Sequence, residues 1–172
     1  MSKRKRYKIL LELLSIFLII IVILHFIPIC TLELKTFYNG EVIFRKRIQP
    51  GDKFILEYIH SVARTPVWEI FIIDDNYNII LVETDFLDHG AGMPYAPFGS
   101  EIFIEEEGKF KIKNMHRTMP DLIYYRIGKN SNNCFYFKDR KINLSSLLGD
   151  ELLIIKTYNL NLFKFLLGGV FR

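Results

Sequence analysis

From Ile9 to Cys30 the chain reads ILLELLSIFLIIIVILHFIPIC, an apolar run whose one carboxylate, Glu12, lies close to its start. A helix needs about 20 apolar residues to cross a hydrocarbon core roughly 30 Å thick, so this run can span a bilayer once. Ahead of it stand Lys3, Arg4, Lys5, Arg6 and Lys8. Basic flanks are retained in the cytoplasm, and the order predicts a single-pass protein of the cytoplasmic membrane, N-terminus inside and everything after Cys30 outside. A cleaved signal peptide would have an apolar core of about 7 to 15 residues closed by small residues, and HFIPICTLE offers no such pair. Lipid attachment at Cys30 would want small residues before it, where Pro28 and Ile29 stand. The chain thus divides into a basic tail (1–8), a signal-anchor helix (9–30) and an extracytoplasmic domain (31–172), with the lipid bilayer as its first expected partner.

The remainder is enough for one packed domain. Of 172 residues 50% are hydrophobic, with only 6 Pro and 10 Gly, which excludes a disordered tail protein. The formal net charge of +4 is small for the length, and with acidic residues well dispersed no nucleic-acid partner is expected. Cys30 at the membrane boundary and Cys134 far downstream imply no disulfide framework.

Beyond the anchor, short segments rich in Ile, Phe, Tyr and Val recur: TLELKTFY, EVIFRKRI, KFILEYIH, PVWEIFII, NIILVETDF, EIFIEEE, KFKIK, LIYYRIG, CFYFKDRKI and ELLIIKTY. They are bounded by turn signals such as NG, PGD, DDNYN, EGK and GKNSNN. No segment between them has a helical period. The pattern predicts an all-β domain, a single antiparallel β-sandwich or small barrel preceded by one transmembrane helix. Asn39-Gly40 supplies a hairpin turn, and Glu105 to Glu107 read as a solvated hairpin tip. The segment from Leu160 onward is almost wholly apolar but too short, and interrupted by Lys164, to span a bilayer. It reads as a packed last strand and tail, or as a segment that returns to the membrane face.

The densest polar chemistry lies in YIHSVARTPVWEIF. Alternation puts His60 on one strand face with Phe54, Leu56 and Tyr58, and Glu69 on one face with Val67, Phe71 and Ile73. A hairpin across SVARTP, a loop of even length, would put His60 and Glu69 on the same face, close enough to interact. His60, Ser61, Arg64 and Thr65 are donors suited to an anionic or hydroxylated group, and Arg64 could grip a carboxylate bidentately. They would equally serve as a satisfied loop corner fixed by Pro66. A second cluster follows: Glu83 and Asp85 point the same way from their strand, and Asp88 and His89 enter a loop built on Gly90 and Gly92. Catalytic templates do not fit, because His60 and Ser61 are adjacent and there is no nucleophile elbow, H-E-x-x-H or phosphate-binding glycine loop. Imidazole and carboxylate from His60, Glu69, Asp85, His89 or His116 could suit zinc, but no ligand spacing fixes such a site. The sequence asks for no cofactor.

HSVARTPVWE followed by DHGAGMP resembles the bacterial domain of unknown function 1850, whose members carry H-S-x-x-x-T-P-V-x-E and a downstream G-A-G-x-P. The resemblance runs from about Leu32 to Tyr158 and falls on His60, Ser61, Thr65, Pro66, Val67 and Glu69, then Gly90, Ala91, Gly92 and Pro94. It implies a small exported or anchored protein often encoded beside TAXI-type TRAP transporters, and so an accessory role near such a transporter. Three readings follow. The first is a noncatalytic binding module for a TRAP-type transporter, its solute-binding protein or a small carboxylated solute. The second is a metal-binding protein or metal-assisted hydrolase using His60, Glu69, Asp85 and His89. The third is a structural envelope protein.

Overall fold

Proline ends the first helix and opens the first strand. The computed structural model describes residues 3–88 and 97–167; within it α1 (Lys3–Phe26) is followed almost at once by β1 (Pro28–Thr36). Pro28 has no amide hydrogen to continue the helical ladder and biases Ile27 away from helical geometry. The end of the apolar run, expected as anchor up to Cys30, therefore belongs to the sheet. α1 is long and apolar enough to cross a membrane, and none of that span is buried within the protein.

The chain continues through β2 (Val42–Arg47), β3 (Lys53–Ile59), β4 (Pro66–Ile73), β5 (Ile79–Phe86), β6 (Ile102–Glu106), β7 (Lys109–Lys113), β8 (Arg117–Thr118), β9 (Ile123–Ile127), β10 (Cys134–Phe137) and β11 (Arg140–Asn143). A short helix α2 (Leu144–Leu148), the long strand β12 (Glu151–Asn161) and a helix α3 (Leu162–Leu167) follow. The strands form two antiparallel sheets, a smaller one ordered β2-β1-β12-β9 and a larger one ordered β11-β10-β3-β4-β5-β7-β6, with β8 added to β5. Both sheets contribute to one core. Leu32, Leu34, Phe44, Leu153 and Ile155 come from the small sheet, and Phe54, Leu56, Phe71, Phe86 and Phe135 from the large one. Phe44 and Phe135 meet edge to face across the sheets at 4.8 Å, and Phe54 stacks on Phe71 at 4.8 Å. This is the all-β sandwich that the alternating segments predict.

The two short helices were not expected. Five residues are too few to show a 3.6-residue period, and α2 is instead set by its caps. The Asn143 side chain accepts the Ser146 amide at 2.9 Å, and Gly149 closes the helix at φ +68°. Cys30 and Cys134 are both free thiols, and Cys134 is buried.

On the face of the small sheet away from the core, Glu33 of β1 is almost fully buried. Register places Arg45 of β2 and Lys156 of β12 directly opposite it on either side. Arg45 Nε donates to Glu33 Oε2 at 2.8 Å and Lys156 Nζ lies 3.8 Å from Oε1. A buried carboxylate is tolerable only with such partners. Arg45→Ala should destabilise the chain by about 3–5 kcal/mol, whereas replacing Glu33 and Arg45 together by leucine should cost much less. Chemical denaturation of the detergent-solubilised protein reads both.

Candidate functional site

The β3–β4 hairpin is tighter than its sequence suggests. Ile59 pairs with Pro66, Tyr58 with Val67 and Leu56 with Glu69. The pairing extends into the turn, where the His60 amide donates to the Thr65 carbonyl at 2.9 Å and the Arg64 amide to the His60 carbonyl at 2.8 Å. The Ala63 amide donates to His60 Nδ1 at 3.2 Å. His60 therefore belongs to the turn, and Glu69 stands opposite Leu56, four residues back, roughly 13 Å along the strand. The expected His60–Glu69 pair is corrected: parity puts both on the same side, but the register keeps them apart. Arg64 closes the turn at φ +55°, a left-handed conformation that costs a residue with a Cβ roughly 1–2 kcal/mol.

What His60, Ser61 and Arg64 meet instead is the β9–β10 loop. Together with Ile59 they line one wall of a cleft of about 580 Å³, whose other wall is Gly128, Lys129, Asn130 and Ser131, with Asp150 beside them. The walls are tied at the base. The Ile59 amide donates to the Ser131 carbonyl at 2.7 Å, the Gly128 amide to Ser131 Oγ at 3.0 Å and the Lys129 amide to Asp150 Oδ1 at 2.9 Å. Two cations, Arg64 and Lys129, thus share the cleft with one carboxylate that already accepts a backbone hydrogen bond. Thr65 lies at the same corner, and its buried Oγ1 has no hydrogen-bond partner among the described residues.

Beneath the cleft, between the sheets, lies a polar group that residue spacing alone does not bring together. Ser131 Oγ hydrogen-bonds Asn133 Oδ1, Asn133 Nδ2 donates to Tyr125 Oη at 2.8 Å, and Asn133 is fully buried. Burial, and then the charge of Glu69, pushes the Tyr58 phenol up to about 12. Burial likewise holds Tyr125 well above its usual range, against the hydrogen bond from Asn133 and with smaller contributions from Glu69 and Tyr58. Burial also raises Glu69 above the ordinary carboxyl value. The signal for Lys129, Asn130, Ser131 and Asn133 was present in GKNSNN, which reads alone only as a turn.

Glu83 and Asp85 lie on the opposite, outer face of the large sheet. A bulge between Ile70 and Phe71 pairs Ile70 with Glu83 but Phe71 with Leu81, so Glu83 and Asp85 face outward while Thr84, paired with Glu69, faces the core. Burial and then hydrogen bonding to Asp85 raise the Glu83 carboxyl. One oxygen of Asp85, Oδ1, is buried without a hydrogen-bond partner among the described residues. Glu69 and Asp85 consequently diverge across the sheet. Among the described residues no three His, Cys, Asp or Glu side chains could hold one metal ion. His89, Gly90 and Gly92, like the rest of DHGAGMP after Asp88, lie outside the described residues.

The raised Glu69 carboxyl gives a signed prediction. A group whose folded pKa exceeds its unfolded value near 4.5 favours the folded state fully below that value, and the benefit is lost as pH rises through the folded pKa. Glu69→Gln should therefore be more stable than the native chain at neutral pH, with the difference shrinking as pH falls toward 4.5. Thermal unfolding across pH measures this, and a difference independent of pH would contradict it.

No curated protein and no solved structure matches the chain. The family model for Domain of unknown function (DUF1850) matches residues 54–144. That span takes in β3, the turn with His60 to Thr65, β4 and the loop of Lys129 to Ser131, which are the elements that build most of the cleft. The chain belongs to the DUF1850 family.

Proposed function

We propose that the chain is a membrane-anchored extracytoplasmic binding module whose cleft holds an anionic group, as on a small carboxylated solute. The observation that carries this reading is the convergence of His60, Ser61 and Arg64 with Lys129 on one cleft. A guanidinium and an ammonium lining one cleft, together with a hydroxyl and an imidazole, suit a carboxylate that accepts several charge-assisted hydrogen bonds. The turn also presents this guanidinium from a left-handed residue, where glycine would be less strained. The family resemblance supports an accessory role beside a TRAP-type transporter of the TAXI kind or its solute-binding protein. Basic residues before α1 support an N-terminus inside and the domain outside. The reading requires no catalysis.

Succinate is a suitable first probe. Isothermal titration of the detergent-solubilised full chain should show saturable binding that Arg64→Gly weakens roughly tenfold or more, the loss of one charge-assisted interaction. The same substitution should raise thermal stability by relieving the left-handed strain. Binding left unchanged by Arg64→Gly, or absent for succinate and for longer dicarboxylates alike, would contradict the assignment of the cleft.

A further inference from the structure

The segment after β12 does not pack on the domain core; it lies beside the end of α1. β1 and β12 pair without interruption as far as Pro28 opposite Asn161. The Leu162 amide then donates to the Ile27 carbonyl at 2.8 Å, and Asn161 Nδ2 lies 3.4 Å from His25 Nδ1. These bonds fix the depth of α3. At 1.5 Å per residue the stretch from Ile9 to Phe26 is about 27 Å long, close to the thickness of a hydrocarbon core. When it spans the bilayer, Phe26 and the short helix α3 beside it stand at the outer boundary of the acyl region. There Leu166 and Leu167 are 60% and 72% exposed and Phe26 is 77% exposed. Lys164 is exposed on the same short helix, and Tyr158 lies just behind it with Lys156 over its ring at 4.2 Å.

We infer that α3 is an interfacial foot: Leu166, Leu167 and Phe26 enter the outer leaflet at the boundary of headgroups and acyl chains, while Lys164 reaches lipid phosphate. The occupant of this apolar surface is lipid, because it continues the lipid-facing surface of α1 at the same depth. Anchored at two points, the domain stands upright instead of swinging on one helix. β12 then runs about 33 Å from Asn161 back to Glu151, and the cleft beside Asp150 opens at the pole farthest from the bilayer. The inference rests on the anchored reading proposed above.

Trp68 is the chain's only tryptophan, so single-tryptophan probes are available in a Trp68→Phe background. Full-length protein carrying Leu166→Trp, Leu18→Trp or Asn130→Trp is reconstituted alone in vesicles of phosphatidylethanolamine and phosphatidylglycerol that contain brominated lipid. Quenching at Leu166→Trp, and at Leu167→Trp as a second position, should exceed that at Asn130→Trp several-fold. Quenching at Leu18→Trp with Leu166→Trp and Leu167→Trp both as weak as Asn130→Trp would overturn the foot and leave the anchor standing. An unquenched Leu18→Trp would overturn both together.

Discussion

The β1–β12 ladder is the constraint on which the rest of the structure depends. It pairs Pro28 with Asn161 at one end and Thr36 with Leu153 at the other. One uninterrupted register therefore joins the end of α1 to the centre of the small sheet and leads on to Asp150 beside the cleft. Only Ile27 separates α1 from β1, so the first helix leads into the small sheet with almost no linker between them. The buried carboxylate of Glu33 sits at the middle of this ladder with a cation on each side. Its cost is offset only while all three strands keep register.

The cleft is built from two elements that are far apart in sequence. The β3–β4 turn supplies His60, Ser61 and Arg64, and the β9–β10 loop supplies Lys129 to Ser131. Ile59 and Ser131 are bonded through their backbones, so the base of the cleft is held by groups whose desolvation is already compensated. Below it, Ser131, Asn133 and Tyr125 continue the hydrogen bonding into the space between the sheets, toward Glu69. Glu69 stands opposite Leu56, away from His60, and its charge raises the phenols of Tyr58 and Tyr125.

Much of the architecture was legible from residue patterns. KFILEYIH and PVWEIFII alternate in a way that only a sheet with one apolar face explains, and the core uses Phe54, Leu56, Val67 and Phe71 from those strands. Three things were not legible. Pro28 took the end of the apolar run into β1, because a continuous hydropathy run does not reveal where proline changes the ladder. The hairpin register depended on whether Thr65 pairs, and a shift of one residue on each strand preserves the faces while moving every partner. Lys129 reached the cleft through the pairing of Ile127 with Glu151, a contact between distant segments that no local period encodes.

On the function proposed above, this cleft is where the protein meets what it binds. A photoreactive amino acid placed at Asn130 on the cleft, and separately at Asn76 in the exposed β4–β5 turn, tests it in native membranes of cells that also express a TRAP-type transport system. Asn130 should capture a component of that system, the solute-binding protein foremost, and Asn76 should not. Capture of the same proteins from both positions, or of no transport component from Asn130, would contradict it.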